Sequence, residues 1–139
     1  MGVNKIGVFS SRYCAAYMNE NKLERLNRVA REAAKQCMRA RVPEVVYCDD
    51  FEGAVSSAEG YAHKLFACEF IAKSEGDIPD MGASYALIVG SEGGFTAEEF
   101  ELAKRHGFTG VSLGKRILRA ETAAIALLSV VMYRAGELK

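Results

Sequence analysis

Residues 85–124, YALIVGSEGGFTAEEFELAKRHGFTGVSLGKRILRAETAA, carry the pattern that decides the fold. Tyr85 to Val89 is an apolar run of strand length that stops at Gly90. Gly93-Gly94 permits a sharp turn and leaves amides bare to a ligand. Thr96 with Glu99 three residues on spells a capping box, so a helix starts there. Phe100, Leu102 and Ala103 keep helical spacing, and Gly107 is placed as the C′ glycine. Val111 to Leu113 reads as a second short strand broken by Gly114, and a further helix runs from Arg119 to Met132. Both glycine turns follow strands, and in an open α/β sheet ligands bind at the carboxyl ends of strands.

Glycines after strands are also simply tight βα turns. No nucleotide motif sharpens the reading. Thr109 stands where a P-loop ending at Gly114-Lys115 needs its first glycine, and Arg116 where it needs Ser or Thr. The turns contain no G-x-S-x-G and no G-x-G-x-x-G.

The wording of the two turns together is more specific. IVGSEGGFTAEEFELAKRHGFTGVSLGKRILRAETAAIALLSV resembles the I-G-P-E-G-G-F … V-S-L-G-x-R-I-L-R-x-E-T-A signature of RsmE-type rRNA methyltransferases, which belong to the SPOUT class. Glu32 to Val45, EAAKQCMRARVPEV, is similar to that family's E-A-x-x-Q-x-x-R-x-R-V-P-E stretch. The resemblance runs from Gly2-Val3 to the last helix. Ser91 replaces the family's usual proline, and Ser10 and Arg12 match its S-E-R-S loop with Tyr13 in place of the last serine.

The resemblance implies a mostly parallel α/β sheet closed by a C-terminal trefoil knot. It implies S-adenosylmethionine as methyl donor, N3 of a uridine in small-subunit rRNA as acceptor, a homodimer, and no metal. The donor is expected among three strand-end loops, 66–69, 89–94 and 112–118. Phe66, Ala67, Val89, Gly90, Glu92, Gly93, Gly94, Ser112, Leu113, Gly114, Ile117 and Leu118 are its expected contacts. Arg12, Arg39 and Arg119 are the candidates to stabilise the imide anion of the acceptor. Glu92 and Glu121 are the candidates to orient or accept its proton, although an acid in the first turn of a helix is favoured by the helix dipole alone. Gln36, Arg39 and Arg41, with Arg12, are expected to face RNA. The family's N-terminal β-barrel and the first strand and helix of the domain are expected to lie outside this chain, so the expectation is a methyltransferase domain only, truncated at its N-terminus.

The chain has 139 residues, 50% hydrophobic and 26% charged, in the range of one globular domain. Its formal net charge is +0, so attraction to RNA must come from a local patch. Cys14, Cys37, Cys48 and Cys68 form no C-x-x-C pair, which argues against a zinc or redox motif and fits a reducing cytosol. No signal-peptide pattern and no apolar run of membrane-spanning length is visible, and a cytoplasmic protein is expected.

Val3 to Phe9 reads as the first strand and Lys22 to Arg39 as an amphipathic helix. Leu23, Leu26, Val29, Ala30, Ala33, Ala34 and Cys37 share one face; Arg25, Arg28, Arg31, Lys35 and Arg39 share the other. Such a face is ordinarily a solvated side, yet it also suits RNA phosphates. Glu44 to Cys48 is a strand, Asp49 or Asp50 can cap a helix from about Phe51 to Ala58, and Lys64 to Ala67 is another strand. Residues 74–84 read as a polar loop. The last helix is apolar almost all round, which implies burial in the core or against another subunit. The alternation of strand and helix implies a parallel sheet. A non-catalytic dimerisation or RNA-binding module of the same fold shares the glycine turns. A pure dimerisation module has no reason to gather Arg12, Arg39, Arg41 and Arg119 in one cleft.

Overall fold

The computed structural model describes residues 2–14, 18–68, 71, 78 and 84–138. The described residues hold five strands and four helices, in the order β1 (Lys5–Phe9), α1 (Glu20–Gln36), β2 (Glu44–Cys48), α2 (Phe51–Ser56), β3 (His63–Ala67), β4 (Tyr85–Ile88), α3 (Ala97–Arg105), β5 (Thr109–Val111) and α4 (Ala120–Arg134). Every strand pair is parallel, as the alternation implies. The expected single sheet is instead two among the described residues: β1 with β2, and a three-stranded sheet in the order β4-β3-β5. The 74–84 loop lies outside the described residues except for Ile78 and Ser84.

Strand β3 is the centre of the core. Leu65 and Phe66 point to opposite faces, as successive strand residues must, and both are buried. Phe66 joins Phe51, Val55, Ile88, Phe95, Ala103 and Phe108 on the side of α2 and α3. Leu65 joins Val111, Leu127 and Val131 on the side of α4. A parallel sheet covered on both faces follows from crossovers that place helices on each side. Phe95, just after the first glycine turn, is central to the first cluster. Its ring centroid lies 4.5 Å from that of Phe66 and 5.3 Å from that of Phe51. The turn is therefore fixed to the core at its far end.

Helix α1 is attached differently. Asn19 caps it by accepting from the Lys22 amide at 2.9 Å. Only Ala30 and Ala34 are buried, while Val29 is 56% exposed. The Asn27 side-chain amide donates to the Val45 carbonyl at 3.2 Å and accepts from the Val45 amide at 3.3 Å. It thus completes the outer edge of β2 as a neighbouring strand would. The helix ends at Gln36, earlier than the periodicity suggests, because Met38 turns into the left-handed region at φ 54°. Arg39 consequently leaves the helix, and its Nη1 donates to the Val3 carbonyl at 2.9 Å.

Candidate active site

Strands β4 and β5 both pair with β3 and run parallel to it. Adjacent strands are about 4.8 Å apart, so the three carboxyl ends emerge side by side. The segments that follow them, near Cys68, at 89–95 and at 111–118, enclose one cavity of about 130 Å³. Small-molecule pockets reach roughly 300 Å³ and above. A nucleoside-sized ligand therefore extends through the mouth, where Lys115, Arg116 and Ile117 are exposed.

The first turn closes with the Gly94 amide donating to the Ser91 carbonyl at 2.9 Å, and Gly94 sits at φ +68°. Gly90 is required for packing: a Cβ there would stand 2.6 Å from the Phe95 ring. Gly93 does not open backbone to a ligand as expected, because its bare side is filled by Tyr13, whose Cβ would be 2.6 Å from an added Cβ. In the second turn, Gly114 adopts φ +109° with open space beside its Cα. It is glycine for its conformation, which L side chains rarely adopt.

Of the expected donor contacts, Ala67, Val89, Gly90, Gly94, Ser112, Leu113, Gly114, Ile117 and Leu118 line the cavity. Phe66, Glu92 and Gly93 do not; Phe66 is fully buried in the core and Glu92 is exposed on the turn. Glu69 lies outside the described residues. Cys68, Lys115 and Arg116 line it too, inside the expected loops though not among the expected contacts, while Phe95, Val111, Ala120 and Ala123 are wall residues that sequence reasoning missed. Ser91 also lines the cavity, and its Oγ is the buried side-chain polar atom without a hydrogen-bond partner among the described residues. The wall thus combines a hydroxyl without a partner among the described residues with the apolar side chains of Val89, Leu113 and Leu118.

Arg12 follows β1 at its carboxyl end and is exposed; its amide donates to Glu99 Oε1 at 2.8 Å. Arg119 is the N-cap residue of α4, makes no side-chain cap bond, and is exposed beside the cavity-lining Ala120. Glu121 is exposed in the first turn of α4. Glu98, near Arg12, has its carboxyl held below the ordinary value by its own backbone amide first, then by the Thr96 hydroxyl and the Arg12 charge.

The expectation that Arg12, Arg39, Arg41 and Arg119 share one cleft is corrected within this chain. Arg39 bonds Val3, ahead of β1, and Arg41 precedes β2, while Arg12 follows β1. Five residues at about 3.3 Å each separate the two ends by roughly 16 Å. Gln36, the last residue of α1, lies with Arg39 and Arg41 at the amino end. The separation arises because the chain reverses through α1 between β1 and β2.

Parallel strands whose carboxyl-end turns close around one cavity place it where open α/β sheets bind their ligands. The profile described as the RNA methyltransferase domain matches residues 1–132. Ribosomal RNA small subunit methyltransferase E of Mesomycoplasma hyopneumoniae is 36% identical over 93% of this chain and 58% of its own length. The protein of that name from Bacillus subtilis is 34% identical over 83% of this chain and 48% of its own. Among solved structures, a methyltransferase of Legionella pneumophila with the cofactor SAM bound superimposes with a TM-score of 0.84 at 34% identity, covering 95% of this chain and 56% of that one. Ribosomal RNA small subunit methyltransferase E from Neisseria gonorrhoeae, bound to S-adenosyl methionine, gives 0.85 at 32% identity, covering 95% and 55%. The chain belongs to the RNA methyltransferase domain family, within its ribosomal RNA small subunit methyltransferase E group. It spans about half the length of the curated relatives and solved chains named above. Among the described residues no helix is long and apolar enough to cross a membrane.

Proposed function

We propose that this chain binds S-adenosylmethionine in the cavity and methylates N3 of a uridine in small-subunit rRNA. The observation that carries the reading is the single cavity formed by all three strand-end segments, with the unpartnered Ser91 hydroxyl in its wall. When bound, the sulfonium supplies an activated methyl group, so no metal is required. Backbone groups of Val89, Gly90, Ser91, Gly94 and 112–118 hold the adenosyl part, and Leu113, Ile117 and Leu118 flank the base.

Arg12 and Arg119 lie at the carboxyl-end side and are the proposed anion stabilisers for the uridine imide. Glu92 and Glu121 orient the base or take its N3 proton. The acceptor base must leave any stack to reach the donor. Gln36, Arg39 and Arg41 contact the RNA at the other end of β1, together with the exposed Arg25, Arg28, Arg31 and Lys35 of α1. In this reading the 112–118 turn and α4 thread a trefoil knot.

Helix α4 supports a homodimer. It buries Ala123, Leu127 and Val131 but leaves Ile125 59% and Tyr133 68% exposed. Light scattering at twice the chain mass is expected; the mass of a single chain contradicts it. The activity is tested by methyl transfer from radiolabelled donor to unmethylated small ribosomal subunits. Arg119→Ala and Arg12→Ala are expected to lower kcat by about a hundredfold while donor affinity is kept. Full activity in both variants overturns the assignment. Donor binding without any transfer by the unsubstituted chain favours the non-catalytic module.

A further inference from the structure

Glu99 is shared by two parts of the molecule that are far apart in sequence. Its Oε2 accepts from the Thr96 amide at 2.9 Å, which is the return half of the α3 capping box. That bond needs only one oxygen. The other, Oε1, accepts from the Arg12 amide at 2.8 Å. A second contact lies one residue further along the loop, at Tyr13, and reaches the glycine turn that precedes the helix. Gly93 packs so closely on Tyr13 that an added Cβ would be 2.6 Å from the Tyr13 Cβ and 2.9 Å from its carbonyl oxygen. The loop after β1 is therefore fixed at two consecutive residues to the glycine turn and the helix that follows it.

We propose that Glu99 is a positioning residue for methyl transfer, clamping the Arg12 loop to the rim of the cavity so that Arg12 is presented to the acceptor base. The clamp rests on the reading above that Arg12 acts on the acceptor. Its chemistry is particular to a carboxylate. Both partners of Glu99 are N–H donors, so both side-chain atoms must accept. Glutamine keeps the size and one acceptor but turns an NH₂ group toward the other donor. Thr96 supplies a comparison, because its hydroxyl serves the same helix end by accepting from the Glu99 amide at 3.1 Å and does not touch Arg12. Removing it weakens the α3 cap and leaves the clamp bond in place.

The experiment compares Glu99→Gln with Thr96→Ala in the full chain. Amide hydrogen exchange is followed over residues 10–14, donor affinity by calorimetry, and transfer to small ribosomal subunits by radiolabel. Glu99→Gln is expected to speed exchange over 10–14 at least tenfold and to lower kcat/KM for the subunits at least tenfold. Its donor affinity stays within twofold. Thr96→Ala is expected to lower thermal stability with neither effect. Unchanged exchange over 10–14 in Glu99→Gln overturns the clamp, as does an equal subunit defect in Thr96→Ala. Should Glu99→Gln not fold, Gly93→Ala attacks the same junction from the other side and is expected to expose 10–14 to exchange; retained protection there overturns the proposal. If the unsubstituted chain transfers no methyl group, the proposed function fails, and the exchange comparison alone still decides whether the clamp exists.

Discussion

Ser91 shows how a single side chain reports on the site. Its hydroxyl is buried and, among the described residues, without a hydrogen-bond partner, and an unsatisfied buried polar group costs about 1–3 kcal/mol. Ser91→Ala removes the oxygen and little else. It is expected to raise the unfolding free energy of the ligand-free protein by about 1 kcal/mol, measured by urea unfolding; a fall in stability contradicts this account of the oxygen. The sequence marked position 91 only as a departure from a proline. That a hydroxyl there goes unsatisfied depends on how the folded chain closes around it, which no local pattern encodes. Gly93 is the opposite case. Its glycine was legible, but its reason was not, since Tyr13 reaches it from the other end of the chain.

At the scale of elements, local chemistry was readable where the sequence carries its own partners. The Thr96–Glu99 capping box and the left-handed Gly107 formed as their residue types dictate, and of the two candidate caps Asp49 and Asp50 it is Asp50 that accepts from the Gly53 amide. Boundaries set by distant partners were not. Strand β5 starts at Thr109, two residues before the apolar pattern, because Gly110 is drawn into register with Phe66; ladder pairing overrides a glycine's poor strand propensity. Helix α1 stops short of Arg39 although its periodicity continues. The docking of α1 through Asn27 was likewise invisible, since a polar residue in a helix normally signals only solvent. Asn27→Ala leaves both Val45 backbone groups without that partner and is expected to destabilise the protein by roughly 1–3 kcal/mol. Urea unfolding checks it, and a change under 0.5 kcal/mol, the usual range for surface substitutions, contradicts the role given to Asn27.

For the whole molecule, strand order decides function. The two glycine turns are about twenty residues apart in sequence, and nothing in either turn says that they meet. They meet because β4 and β5 flank β3 in the same direction. The same topology separates Arg39 and Arg41 from Arg12, so the arginines grouped by motif divide between two ends of β1. Whether the three strand-end segments act as one adenosyl cradle is tested most directly by titrating the ¹⁵N-labelled chain with S-adenosylmethionine and its demethylated product. The account predicts that amides of 66–68, 89–94 and 111–118 shift together, along a single saturation curve, while those at the middle of α1 stay in place. No shift at millimolar ligand, or shifts confined to one segment, would contradict it.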